Sequence, residues 1–137
     1  MIITKRITII AIGLLISGLA YSAFLIFREK PVAKIKFESS GCFHFERLEL
    51  TLFKSDSLIF ARLDSSGKKL EEQYLSKVQM NTINEFMKKL RKLKDDGDCT
   101  TVDVYDVNYN GEKIKKYDGT CDWRGFTKLR SALFESD

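Results

Sequence analysis

The stretch that decides the fold is TVDVYDVNYNGEKIKKY, residues 101–117. Thr101 to Tyr109 alternates apolar and polar side chains, as a half-buried strand does, and Glu112 to Tyr117 forms the returning run. Asn110-Gly111 lies between them, and both residues accept the positive φ that a two-residue hairpin turn requires. The sequence therefore predicts an antiparallel hairpin in which Tyr109 pairs with Glu112.

The register of this hairpin brings two of the three cysteines together. Counted outward from the turn, Cys99 faces Asp122 and Cys121 faces Thr100, one position apart at the open end. A small bulge or a frayed end would bring their Cα atoms within disulfide range. We predict a Cys99–Cys121 disulfide, which closes a loop of about 20 residues. The alternative is two buried, reduced thiols of a cytoplasmic protein.

Two amphipathic helices flank the hairpin in the sequence. The first begins at Ser76, where Gln79 completes a capping box and Leu75 with Met80 forms a hydrophobic staple. Its apolar stripe recurs at helical spacing through Met80, Ile83, Phe86, Met87, Leu90 and Leu93. The last helix is expected to be capped by Asp122, and its apolar face consists of Phe126, Leu129 and Leu133.

Four further runs before the first helix predict four more strands. They span Val32 to Glu38, Phe43 to Phe53, Ser57 to Leu63 and, as a weaker strand or the start of a helix, Lys69 to Leu75. Ser39 to Gly41 is expected to be a turn. The order of elements predicts an α+β domain, a small antiparallel sheet with two helices packed on one face.

The second of these strands contains a conflict of phase. Leu48, Leu50 and Leu52 share one face, whereas Phe43 and Phe45 fall on the other. A β-bulge near residues 44–46 would return both aromatic rings to the leucine face. The sequence therefore predicts a bulge there.

The segment from Ile7 to Phe27 contains no charged residue. As a helix it would be about 30 Å long, the thickness of the hydrocarbon core of a bilayer. We predict a transmembrane signal anchor at 7–27, after a basic n-region at 1–6 and before an extracytoplasmic domain at 28–137. A cleaved signal peptide with its apolar region at Ile7 to Ala20 is the alternative.

The orientation of this anchor rests on opposing signals. Basic residues lie on both sides of the apolar run, Lys5 and Arg6 before it and Arg28, Lys30, Lys34 and Lys36 after it. A strict count of these charges favours a cytoplasmic domain. The export-type order of basic and apolar segments, together with the paired cysteines, favours an extracytoplasmic one. The expected location is the cell membrane, as a single-pass protein, or a secreted or periplasmic protein if the signal is cleaved.

Composition bears on two questions, whether the protein binds nucleic acid and whether the chain folds. The chain carries 23 Lys and Arg against 19 Asp and Glu, and Lys5 and Arg6 precede the apolar run. The small remaining excess of positive charge does not indicate a nucleic-acid-binding protein. Ten Phe, five Tyr and one Trp are typical of a folded domain rather than a disordered tail.

Cys42 and His44 form the candidate functional thiol region. On a strand their spacing would place both side chains on one face, where a thiolate–imidazole pair could form. With Cys99 and Cys121 they also match the inventory of a Cys₃His zinc site, although the spacing lacks the usual close pairs. No phosphate loop, nucleophile elbow or HExxH motif is present in the sequence.

These patterns predict a membrane-tethered module that binds a protein or envelope partner without catalysis, and with no cofactor, metal or nucleic acid. A small thiol- or metal-dependent enzyme centred on Cys42 and His44 is the alternative. An inhibitor or immunity-type protein is compatible with the size of the chain.

Overall fold

The computed structural model describes residues 30–95 and 97–135. Within these ranges the chain forms six strands and two helices, in the order strands, helix, hairpin and helix. The elements are β1 (Lys30–Ser40), β2 (Phe45–Ser55), β3 (Leu58–Ser65), β4 (Lys68–Tyr74), α1 (Lys77–Lys92), β5 (Val102–Tyr109), β6 (Glu112–Asp118) and α2 (Gly125–Phe134). The predicted α+β class is confirmed for this part of the chain.

The strands form one antiparallel sheet in the order β4-β3-β2-β1-β5-β6. The first four strands follow one another as a meander, and α1 then carries the chain across to β5, beside β1. The hairpin prediction is confirmed, because Tyr109 pairs with Glu112 and both turn residues have positive φ, 51° at Asn110 and 83° at Gly111. β4 is a strand throughout, so the helical alternative for this segment is wrong.

The capping box at the start of α1 is confirmed. The backbone N–H of Gln79 donates to Ser76 Oγ at 3.3 Å, and that of Ser76 donates to Gln79 Oε1 at 2.9 Å. Two N–H groups that the helix cannot satisfy internally thus find partners. The helix buries Ile83, Phe86, Met87 and Leu90 against the sheet.

The predicted cap of the last helix is wrong. α2 begins after Arg124, which has a left-handed φ of 47°, and no side chain caps its first N–H groups. A Cβ at Gly125 would come within 2.6 Å of the Trp123 ring, so this ring lies directly against the first residue of the helix. Because the Trp123 ring packs against Gly125, the helix begins only at that residue. Asp122 is then two residues before the N-cap position, Arg124, and its side chain does not cap the helix.

One face of the sheet and the two helices enclose the core. It is built from alternate residues of the strands, among them Ile35, Phe37, Leu50, Leu52, Leu63 and Val107. At one end the core is aromatic. Phe126 stacks on Phe37 at 4.5 Å, and the Trp123 ring lies 5.4 Å from Phe86 and 5.3 Å from Tyr105, between ring centroids.

The predicted turn at residues 39–41 and the predicted bulge near residues 44–46 are both wrong. Ser39 and Ser40 belong to β1 and pair with Glu46 and Phe45 without a shift of register. The loop is Gly41 to His44, where the Gly41 N–H donates to the His44 carbonyl at 2.8 Å. Phe45 keeps its phase and points to the face opposite the leucines, so no bulge is needed.

The predicted basic n-region and transmembrane helix, residues 1–6 and 7–27, lie outside the described residues. Of the two helices within residues 30–95 and 97–135, neither is long and apolar enough to cross a bilayer.

Candidate functional site

The face of the sheet turned away from the helices is uncovered along the described chain, and its side chains form rows across the strands. Residues directly opposite one another in antiparallel strands point to the same face. We call the end of the sheet at Lys30 the proximal end. The end with the loop Gly41 to His44 is the distal end. The two ends carry apolar side chains, and the middle is charged.

The distal end presents a group of exposed apolar side chains, which we call the distal surface. Its members are Phe43, which is fully exposed, Phe45 at 63%, Tyr117 at 42% and Val102 at 36%. Ser40 pairs with both Phe45 and Val102, so these two side chains lie on the same row of the open face. Phe43 projects from the loop beyond this row.

A cationic side chain lies over the face of each of two exposed rings of the distal surface. The Arg47 guanidinium lies 5.6 Å from the centroid of Phe45, and Lys115 Nζ lies 5.5 Å from that of Tyr117. The neighbouring Tyr117 side chain raises the pKa of Lys115, which favours its charged form. Cations over ring faces hold these aromatic side chains in place without covering them.

Next to the distal surface is an open depression of about 660 Å³. Its lining includes Lys36, Glu38, Arg47, Glu49, Asp106 and Lys115. Glu38 accepts two hydrogen bonds from Arg47, at 2.7 and 3.0 Å, and Glu49 pairs with Lys34 at 2.6 Å. These carboxylates are half-buried and neutralised by partners, an arrangement suited to polar contacts with a ligand rather than to proton transfer.

The candidate thiol region lies in the loop, not on a strand. Cys42 and His44 are both exposed, and neither lines the depression. His44 Nε2 is 3.9 Å from Glu46 Oε2. Because β2 begins only at Phe45, no strand pleat aligns the thiol with the imidazole. A role for this pair stays a prediction.

Cys99 and Cys121 lie at disulfide distance, with Cα atoms 5.9 Å apart. The chain is tightly held around them, since the Cys99 N–H donates to the Gly119 carbonyl at 2.8 Å. A Cβ on Gly97 would come within 2.3 Å of that carbonyl group, so only glycine fits there. The pairing at the open end of the hairpin therefore has the predicted geometry.

The zinc alternative finds no support in the described residues. The four residues that it requires do not form a metal-binding group, and no other cluster of three or more His, Cys, Asp or Glu within residues 30–95 and 97–135 could hold a metal ion. Cys42 is a free, exposed thiol.

The buried Asp118 and its partner Thr120, a polar pair that the sequence interpretation missed, order the chain between β6 and Cys121. The Asp118 carboxylate accepts hydrogen bonds from the N–H and the hydroxyl of Thr120, at 3.0 and 2.6 Å. Near Asp118, burial and the charge of Asp103 raise the pKa of the Tyr105 hydroxyl. The available signal was the Asp-Gly-Thr sequence, in which Asp can bond to the backbone two residues on.

The sequence contained a signal for the exposed distal surface, the phase of Phe45, but the prediction drawn from it was wrong. Phe45 is out of phase with the leucines because it belongs to the outer face. The sequence interpretation placed it in the core through a bulge.

Comparisons with known proteins assign no family to the chain. No protein-family model matches it, and no curated protein sequence matches it. Proposals about function therefore rest on its own residues.

Proposed function

We propose that this protein is a membrane-tethered, extracytoplasmic binding module that acts without catalysis and contacts a protein partner through its distal surface. The observation that carries the proposal is the exposure of Phe43 and Phe45 at the end of the sheet opposite Lys30. Large apolar side chains grouped on a surface are typical of interaction sites.

The position of the distal surface fits a tethered binding module. β1 runs from Lys30 to Ser40 as an eleven-residue strand. At the usual rise of a strand it holds the distal surface roughly 35 Å from residue 30. The sequence places the predicted anchor just before that residue, so the distal surface would lie well away from the bilayer.

The chemistry of the distal surface favours a protein as the partner. Aromatic residues and Arg are enriched at the energetic centres of protein interfaces. Phe43 can enter an apolar pocket, and Phe45 with Arg47 offers a ring and a cation at its side. An inhibitor that inserts this loop into an enzyme would be one form of such a module.

The alternative, a thiol enzyme centred on Cys42 and His44, gains no specific support. A catalytic cysteine requires a base in reach and a cleft that holds the substrate. Both side chains are exposed in the loop, outside the depression.

Site-specific photo-crosslinking in intact cells tests the proposed partner contact. A photoreactive phenylalanine analogue replaces Phe43 in the full-length protein, and a matched control places it at the exposed Lys88 on α1. We expect a discrete protein adduct from position 43 alone, which Phe45→Ser weakens and Leu70→Ser, at an exposed apolar residue of β4, leaves intact. The same adducts from both positions, or none at 43, would contradict the proposed surface.

The tether and the compartment have their own test. Thiols of protein from membrane and soluble fractions are alkylated with and without prior reduction, and the intact mass is measured. We expect full-length protein in the membrane fraction with one free thiol, Cys42. Three free thiols would place the domain in the cytoplasm. A mass lacking the apolar segment would mean a cleaved signal peptide.

A further inference from the structure

The proximal end of the domain carries a second set of exposed apolar side chains, together with exposed lysines spread across the same end. We call it the proximal surface. Its apolar members are Val78 at 73%, Tyr74 at 67% and Leu58 at 56% exposure, and its exposed lysines are Lys54, Lys77 and Lys113.

The fold brings these residues to the end of the sheet where β1 begins. Lys30 pairs with Lys54, and Leu58 follows across the β2–β3 turn. The Leu75 N–H donates to the Ile59 carbonyl at 2.8 Å, which places the start of α1 at the same end. Lys113 lies next to the β5–β6 turn, whose Asn110 N–H donates to the Val32 carbonyl at 3.3 Å.

Tyr74 is held with its side chain outward. Its ring meets the edge of Phe60 at 5.9 Å, and Phe60 stacks on Phe53 at 4.9 Å. The Arg62 guanidinium lies 4.9 Å from the Phe53 centroid, so the Phe53 ring is in contact with a cation as well as with Phe60. The exposed part of Tyr74 is thus supported by packed rings and cannot fold back into the core.

The length of chain between the predicted anchor and the domain limits where this end can be. Only Arg28 and Glu29 separate Phe27, the last residue of the uncharged run, from Lys30, the first residue of β1. Fully extended, this connection spans at most roughly 11 Å. If residues 7–27 cross a bilayer, the proximal end lies at its headgroups.

We propose that the proximal surface rests on the surface of the anionic bilayer that holds the anchor, so that the domain stands upright with its distal surface outward. The proposal depends on the tether of the proposed function. Tyr74 suits the interface with its amphipathic ring, while Leu58 and Val78 bury apolar area there. Lys54, Lys77 and Lys113 attract anionic headgroups.

Acidic residues at this end offset only part of the charge of these lysines. Glu112 is paired with Arg91 at 2.6 Å, and the exposed Asp56 in the β2–β3 turn offsets one of the three lysines. The lysines of the proximal surface form no ion pair with a described residue.

Fluorescence quenching in proteoliposomes tests the proposal with the full-length protein. The label is attached either to the native Cys42, at the distal end, or to Leu58→Cys in a Cys42→Ser background. Vesicles contain phosphatidylcholine with or without phosphatidylglycerol, and a nitroxide on the headgroup quenches nearby labels. We expect a blue shift and loss of fluorescence at position 58, and neither at Cys42.

A charge-reversal variant separates lipid binding from simple proximity. Lys54→Glu with Lys77→Glu and Lys113→Glu should reduce quenching at position 58 in vesicles that contain phosphatidylglycerol. The matched control Lys88→Glu with Lys89→Glu and Lys92→Glu, on exposed residues of α1, should leave it unchanged.

The outcomes distinguish this proposal from the tether on which it depends. Protein that does not stay with the vesicles would refute both. Stable membrane association without quenching at position 58 would refute the seated orientation alone. Equal quenching at both positions would also refute it, because the domain would then lie flat.

Discussion

Loss of the Cys99–Cys121 bond should destabilise the domain by about 3 kcal/mol in the loop-entropy estimate. The two residues are 22 positions apart, and their Cα separation of 5.9 Å is within the usual disulfide range. The bond restricts the unfolded chain, whose loop from the end of α1 to the start of α2 otherwise samples many more conformations. With a urea m-value of about 1.5 kcal/mol per M, the midpoint of unfolding should fall by roughly 2 M.

Urea unfolding of the full-length protein in detergent measures this change. Trp123, the only tryptophan of the chain, reports on it because its ring packs against Phe86 and Tyr105. Cys99→Ala with Cys121→Ala, and wild type treated with reductant, should give the same lowered midpoint. Cys42→Ser is the control and should leave the midpoint unchanged, since this thiol is free and exposed.

A fall of less than about 0.5 M in both forms would refute the reasoning, because the loop-entropy estimate requires a fall about four times as large. The bond would then be absent, or the unfolded chain would already be restricted without it. Circular dichroism at the same urea concentrations shows whether the sheet is lost in the transition that Trp123 reports.

Three further predictions concern stability and ionisation. Gly97→Ala should lower the free energy of unfolding by at least about 2 kcal/mol in the same urea assay, since its Cβ would meet the backbone of Gly119 at 2.3 Å. Gly111→Ala has open space around it and should lower the free energy of unfolding by only about 1 kcal/mol, because its positive φ is then the only source of strain. Gln73→Met should raise the melting temperature through a gain of about 1 kcal/mol, because the buried Gln73 Nε2 has no hydrogen-bond partner among the described residues; an unchanged or lower melting temperature would argue against it. The hydrogen bond from Arg91 lowers the pKa of Glu112. The pair therefore stabilises the fold above the ordinary glutamate pKa, and this stabilisation is lost as the pH falls through the lowered pKa. In Arg91→Met, an NMR titration should give a higher pKa for Glu112 than in the wild type.

Local sequence determined most of the elements but not all of their ends. The Asn110-Gly111 turn and the capping box at Ser76 are complete within a few residues, so both could be recognised without the fold. The start of α2 could not, because it depends on where the Trp123 ring packs. Likewise, the loop Gly41 to His44 is set by the pairing of β1 with β2 and not by the serines before it.

The two candidate surfaces could be predicted from the sequence even less than the ends of the elements. The phase of Phe45 was visible in the sequence, but an outward aromatic residue and a bulged inward one share the same pattern of letters. Only the continuous register of β1 and β2 separates them. The proximal surface joins Leu58, Tyr74 and Val78, which no local motif connects, because they come from a turn, an edge strand and a helix start.

The sequence by itself determined the class of the domain, the hairpin and its paired cysteines, and the apolar faces of both helices, since each depends on periodicity or on a turn that neighbouring residues define. It also carries the prediction of an anchor at residues 7–27. Tertiary structure alone decided the order of strands, the placement of β5 beside β1, and the division of exposed apolar side chains between two ends of the sheet. Those features arise from contacts between distant segments, whose free energy depends on packing that no single stretch of sequence encodes.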